Sequence, residues 1–99
     1  MNEGRYRESR MCRVLGNPLA YGVVAKLLET GPQTPSELAR SVGRSITTVS
    51  HTLGKLRLAE LVRFDRTGRV ALYRVKYPRE IRALVKALDR FVTATRRAG

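Results

Sequence analysis

Thr34-Pro35-Ser36-Glu37-Leu38-Ala39-Arg40-Ser41-Val42-Gly43-Arg44-Ser45-Ile46-Thr47-Thr48-Val49-Ser50-His51-Thr52-Leu53-Gly54-Lys55-Leu56 is the stretch whose reading decides the architecture. It opens with a capping box. The Thr34 hydroxyl is placed to accept from the third helical amide, Glu37 reaches back to the Thr34 amide, and Pro35 supplies a preset φ at the first helical position. Leu38, Ala39 and Val42 give the short helix one apolar side. Gly43 then ends it, because glycine enters the left-handed conformation that closes a helix without steric penalty. Ser45 caps a second helix only a few residues later. Ile46, Val49, Leu53 and Leu56 fall at spacings of three, four and three, which at about 100° per residue form a single apolar stripe.

Working outward, the same periodicity predicts two helices upstream. The first covers Tyr6 to Leu15, with Tyr6, Met11, Val14 and Leu15 as its apolar set, and stops before Gly16-Asn17-Pro18. The second starts near Pro18, carries Leu19, Val23, Val24, Leu27 and Leu28, and stops at Gly31-Pro32. Downstream the period changes. Leu61 to Asp65 and Val70 to Val75 are rich in β-branched and aromatic residues and flank Arg66-Thr67-Gly68-Arg69, which predicts a β-hairpin. Pro78 opens a last helix, Arg79 to about Arg97, with a stripe of Ile81, Leu84, Val85, Leu88 and Val92 and with Phe91 beside it.

Two helices joined by a tight glycine turn, followed by a hairpin, form the winged version of the helix-turn-helix pattern. The expected fold is therefore mainly α with a β-hairpin wing: five helices in one domain over residues 1–99. Residues 1–15 and 79–97 are expected to form helices that flank a winged-helix core at 18–76. The face of the Ser45-capped helix opposite its stripe centres on His51, with Thr47, Thr48 and Lys55 flanking it. These are donors and acceptors without a carboxylate, on an element whose diameter suits a major groove. Arg44 and Ser45 at the helix start suit a phosphate, and Arg66 and Arg69 at the hairpin tip suit a neighbouring minor groove or its phosphates. The plain alternative is an ordinary solvated face and a tip that tolerates arginine. Gly54, in mid-helix, points to close packing of another helix or close approach of a DNA backbone.

The charge supports the DNA reading. Among 99 residues, 20 Lys and Arg against eight Asp and Glu give +12, and sixteen of the cations are Arg. Such a balance attracts polyanions. A hot habitat or an arginine-rich genome also explains the preference for Arg over Lys, though not the charge itself. One His and one Cys exclude both an internal disulfide and a Cys/His zinc site within one chain. No run approaches the roughly 20 apolar residues of a membrane span, and the N-terminus has no apolar signal segment. The expected location is cytoplasmic, at the nucleoid. No nucleotide loop, paired metal-spaced carboxylates or nucleophile beside the sole His is visible. The expectation is no catalytic residues, no metal site, no cofactor and no enzyme activity.

Leu15-Gly16-Asn17-Pro18-Leu19, Ser36-Glu37-Leu38-Ala39, Thr48-Val49-Ser50-His51, Leu56 to Val62 and Gly68 to Val75 together resemble ArsR/SmtB-type winged helix-turn-helix repressors. The resemblance covers about 60 residues, and MarR-type and other small winged-helix proteins share much of it. It implies a homodimeric repressor on a palindromic operator, with the first and last helices building the dimer. The residues matched to that interface are Met11, Val14, Ile81, Leu84, Val85, Leu88, Phe91 and Val92, whose last-helix stripe a short chain would struggle to cover alone. Two departures stand out. The helix before the DNA-reading helix has no cysteine, and the last helix has no His and only Asp89 in its middle, so neither metal-sensing arrangement of the family is matched. Cys12, in the dimer region, leaves an intersubunit disulfide or thiol sensing open beside a bystander role. Arg82, Lys86 and Arg90 form a cationic column that suits a solvated face, an acidic protein partner or flanking DNA. The expected partners are double-stranded DNA and a second copy of the chain, with no membrane, while an effector is left open. The alternatives are an architectural DNA-coating protein and a winged-helix interaction module.

Overall fold

A computed structural model describes residues 2–98. Its elements run α1 (Glu3–Leu15), α2 (Pro18–Thr30), α3 (Pro35–Val42), α4 (Ile46–Leu58), β1 (Val62–Thr67), β2 (Val70–Val75) and α5 (Pro78–Ala98). The five helices and antiparallel hairpin are those expected, and the main boundary error is at α1. Asn2 caps that helix by accepting from the Arg5 amide at 2.8 Å, so it starts three residues before Tyr6.

The architecture rests on α2. Val23, Val24 and Leu27 are buried on it and meet Leu38 and Ala39 of α3, Val49, Leu53 and Leu56 of α4, and Leu61, Val62, Val75 and Ile81. Ile46, read as the first residue of the α4 stripe, is instead 52% exposed. It occupies the first helical position, about 60° around from Val49, and so lies beyond the edge of the core.

Local chemistry fixes the α3–α4 angle. Both halves of the capping box form: Glu37 N–H donates to Thr34 Oγ1 at 3.1 Å and Thr34 N–H to Glu37 Oε1 at 2.8 Å. Gly43 is left-handed at φ 68°, and the Arg44 amide closes back on the Ala39 carbonyl at 3.1 Å. Ser45 then caps α4 by accepting from the Thr48 amide at 3.1 Å. The end of α4 repeats the closure with a residue that dislikes it. Glu60 sits at φ 68°, its amide donating to the Arg57 carbonyl and the Leu61 amide to the Leu56 carbonyl, while Leu61 and Leu56 are both buried. The Glu60 carboxylate is held by Lys76, which anchors this left-handed residue to the end of β2.

The hairpin is tighter than expected. β1 runs on through Thr67, which pairs with Val70, so only Gly68 and Arg69 turn the chain. Gly68 takes φ 63°, as the first position of a two-residue hairpin turn with glycine leading requires. Gln33, immediately before the α3 cap, pairs with Tyr73 through both backbone bonds (3.0 and 2.8 Å). A single residue has no periodicity to read, so this tie between helix-turn-helix and wing has no sequence signal.

Two carboxylates are held below the ordinary value of 4.5 in the folded chain: Glu37 by the Thr34 amide, and Glu60 by its hydrogen bond and charge interaction with Lys76. A native pKa below the unfolded one contributes stability above pH 4.5 that is lost as pH falls through the native value. Urea midpoints are expected to be flat from pH 7 to about 5 and to fall below 4.5. Glu37→Gln, which keeps an acceptor but does not titrate there, should make that fall shallower. An unchanged slope would show that the capping box contributes nothing to acid sensitivity.

Candidate nucleic-acid interface

Val49, Leu53 and Leu56 fix one side of α4 in the core, so the opposite side must face solvent. Thr47, Thr48, His51 and Lys55 are all exposed there. Ser45 Oγ, besides capping the helix, donates to Thr48 Oγ1 at 2.9 Å. That bond orients the Thr48 hydroxyl and leaves its proton free to donate outward. Among the described residues, the amides of Ile46 and Thr47 have no partner within the chain, which gives the helix start its positive character. Arg44 lies exposed in the turn, and Arg40 shares a shallow groove with it beside Ser45 and Ile46. Arg40 was not among the residues singled out from sequence.

The wing stands beside this face through a packed contact. Phe64 lies 5.2 Å from the Tyr73 ring. The Arg57 guanidinium, from α4, sits 5.5 Å from the Phe64 ring, and that of Arg66, from the wing, at 6.0 Å. One aromatic ring therefore holds a cation from each element, a contact worth about 0.5–1 kcal/mol at an exposed site. Arg69 is exposed in the tip turn and Gly68 leaves the tip open. Among the described residues no carboxylate pairs with Arg44, Lys55, Arg57, Arg66 or Arg69, so these charges are available to phosphate.

Residues 15–63 match the family model described as a helix-turn-helix domain, from the end of α1 to the start of β1. The chain carries a winged helix-turn-helix domain. No curated protein matches it in sequence. Among solved structures it is similar to the crystal structure of Rv0081 from M. tuberculosis, with TM-score 0.80 and 22% identity over 97% of this chain and 98% of that one, a likeness of fold. It is also similar to the homodimeric winged helix-turn-helix DNA-binding domain of Mb0332 from Mycobacterium bovis, a possible ArsR-family transcriptional regulator. There the TM-score is 0.73 with 26% identity over 84% of this chain and 78% of that one. The transcriptional repressor BigR from Xylella fastidiosa matches with TM-score 0.70 and 28% identity over 86% of this chain and 90% of that one. The ArsR-like reading of the sequence is borne out, and the winged-helix domain has the fold of DNA-binding transcriptional regulators.

The residues matched to a dimer interface fall in two groups. Ile81 is buried in its own chain's core, and Met11, Val14 and Val85 pack partly against it. Leu84, Leu88, Phe91 and Val92 are exposed on α5, Phe91 at 67%. Cys12 is exposed on α1. No helix among the described residues is long and apolar enough to cross a membrane. Sequence reasoning missed Arg57 because its role depends on a ring seven residues away on another element, which helical periodicity does not reveal.

Gly54 corrects an expectation. A Cβ built there meets nothing within 4 Å, so packing of another helix within the chain does not explain it. Gly54→Ala is expected to stabilise the free winged-helix domain by about 0.8–1 kcal/mol through helix propensity alone. If a DNA backbone approaches the helix there, the same change weakens DNA binding. Thermal unfolding and duplex titration on one preparation read the two effects separately. A destabilised free protein would contradict the open space seen around Gly54.

Proposed function

We propose that the protein is a homodimeric, sequence-specific transcriptional repressor of double-stranded DNA, ArsR-like and without that family's metal-sensing ligands. The observation that carries the DNA reading is the outer side of α4. It presents Thr47, Thr48, His51 and Lys55 with no carboxylate, at a helix start with two open amides, beside a wing tip whose Arg66 and Arg69 have no carboxylate partner among the described residues. Thr48 and His51 have the reach and the donors to read base edges. Arg44, Lys55, Arg57, Arg66 and Arg69 supply phosphate neutralisation, and a wing tip carrying arginines also suits a narrow minor groove.

The dimer reading rests on α5. Every residue from Lys86 to Arg97 is exposed, yet the same stretch carries Leu88, Phe91 and Val92 along one side. A helix of this length without tertiary contact is marginal in water, so a partner that covers the stripe stabilises it. Tyr6 on α1 is exposed as well. The name of Mb0332 describes a homodimeric domain, which supports the same arrangement here. A symmetric dimer would place two α4 helices in successive major grooves, with half-sites about 10–10.5 bp apart.

Selection from a random duplex library near physiological salt should return a palindrome. On the selected site, Thr48→Ala and His51→Ala should relax base preference, each shifting discrimination by about 1–3 kcal/mol, whereas Arg66→Ala should weaken all sequences alike. Equal losses on every sequence for all three changes would contradict that division of roles. The +12 charge favours a second reading, an architectural protein that coats DNA. Tight binding to every duplex without an enriched motif would establish it instead. Phe91→Glu should turn the dimer into a monomer in sedimentation equilibrium while leaving the helical spectrum of the core. A monomeric wild type at micromolar concentration would refute the dimer.

A further inference from the structure

On the other face of the wing lies a groove that the DNA reading does not use. Along β1, Val62, Phe64 and Arg66 alternate with Arg63, Asp65 and Thr67, so Arg63 and Asp65 point away from the Phe64 side. The register sets Arg63 directly opposite Arg74. Like charges so paired are unfavourable. One carboxylate bridges both, Asp65, at 3.4 Å from Arg63 and 3.2 Å from Arg74. One negative charge between two guanidiniums leaves the cluster cationic.

Two more cations close on the same place. Lys76 directly follows β2, and its pairing with Glu60 keeps its ammonium charged. Arg82 comes from the first turns of α5 and has no acidic partner among the described residues. These four side chains line a groove of about 320 Å³ together with the apolar Leu27, Leu28, Val75 and Pro78, of which Leu27 and Val75 are buried in the core and supply an apolar floor. No carboxylate lines it among the described residues.

We propose that this groove is a binding site for a small organic anion, a phosphate monoester or carboxylate carried on an apolar body. Paired arginines match such groups bidentately, and an apolar floor both buries the body and lowers the local dielectric around the charge. The size falls at the lower end of small-molecule sites, about 300–1,000 Å³. The groove joins the end of α2, the base of the wing and the start of α5. An occupant there does not compete for the α4 face, and it bridges the wing to the helix assigned to the dimer. Binding of the anion does not depend on the DNA-binding reading.

Calorimetric titration of the full-length chain with phenyl phosphate tests it directly, with inorganic phosphate as the charge-only probe. Saturable binding at one site per chain is expected, at least about tenfold tighter than inorganic phosphate because the ring is buried. Arg82→Ala and Arg74→Gln should each weaken it about three- to tenfold, a range that allows for their solvent exposure. Arg90→Ala, which removes the same charge further along α5, should leave it unchanged. Absence of saturable binding, equal affinity for both probes, or a loss in Arg90→Ala equal to that in Arg82→Ala would each overturn the proposal. Because no DNA is present, none of these outcomes bears on the operator reading.

Discussion

The left-handed turn at Gly43 is the constraint on which the rest of the molecule depends. It allows α3 to stop and α4 to start within three residues. With the Thr34–Glu37 box before it and the Ser45 cap after it, the angle between the two helices is set by backbone hydrogen bonds. That angle lets Leu38 and Ala39 reach α2 at the same time as Val49, Leu53 and Leu56. Burying those residues leaves one orientation for the remaining side of α4. A side chain at position 43 would carry a left-handed penalty of about 1–2 kcal/mol. The DNA-reading assignment is thus a consequence of packing: His51 and Thr47 face outward because Val49 and Leu53 cannot.

The second organising element is the aromatic pair of the wing. Phe64 and Tyr73 lie on the core-facing side of the hairpin, and Tyr73 is tied through its backbone to Gln33 at the α3 cap. The wing is therefore fastened to the start of α3 and, through Arg57 over Phe64, to α4. The opposite face gathers Arg63, Arg74, Lys76 and Arg82. The fold sorts the cations: one set faces outward beside α4, one rims a groove behind the wing, one runs down α5, and Arg5, Arg7, Arg10 and Arg13 lie on α1.

Much of this was legible in the residues because its causes are local. The capping box, the Gly43 stop and the Ser45 start each depend on a few neighbouring residues, and so does the place of Gly68 in the hairpin turn, though not the two-residue length of that turn. The misses have physical reasons of two kinds. Some signals were local but masked: Asn2 caps α1 ahead of Gly4, a residue that argues against a helix there. Others depend on tertiary contact. Ile46 fits the stripe by spacing but lies past the core edge, the Gln33 bridge is one residue long, and Arg57 gains its role from a ring on the wing. The outward face of α4 was legible because three buried residues define it. The groove behind the wing was not, since its cations come from strands and a helix whose relative placement periodicity does not encode.

The central claim is that duplex DNA is read by the outer face of α4 with the wing beside it. Amide shift mapping of the labelled protein against a selected duplex measures this directly. The account expects the largest perturbations at residues 44–55 and 66–69, with residues 82–90 of α5 little changed. Perturbations concentrated on the Arg82, Lys86 and Arg90 column, with α4 silent, would contradict it and assign the charge of α5 to DNA instead.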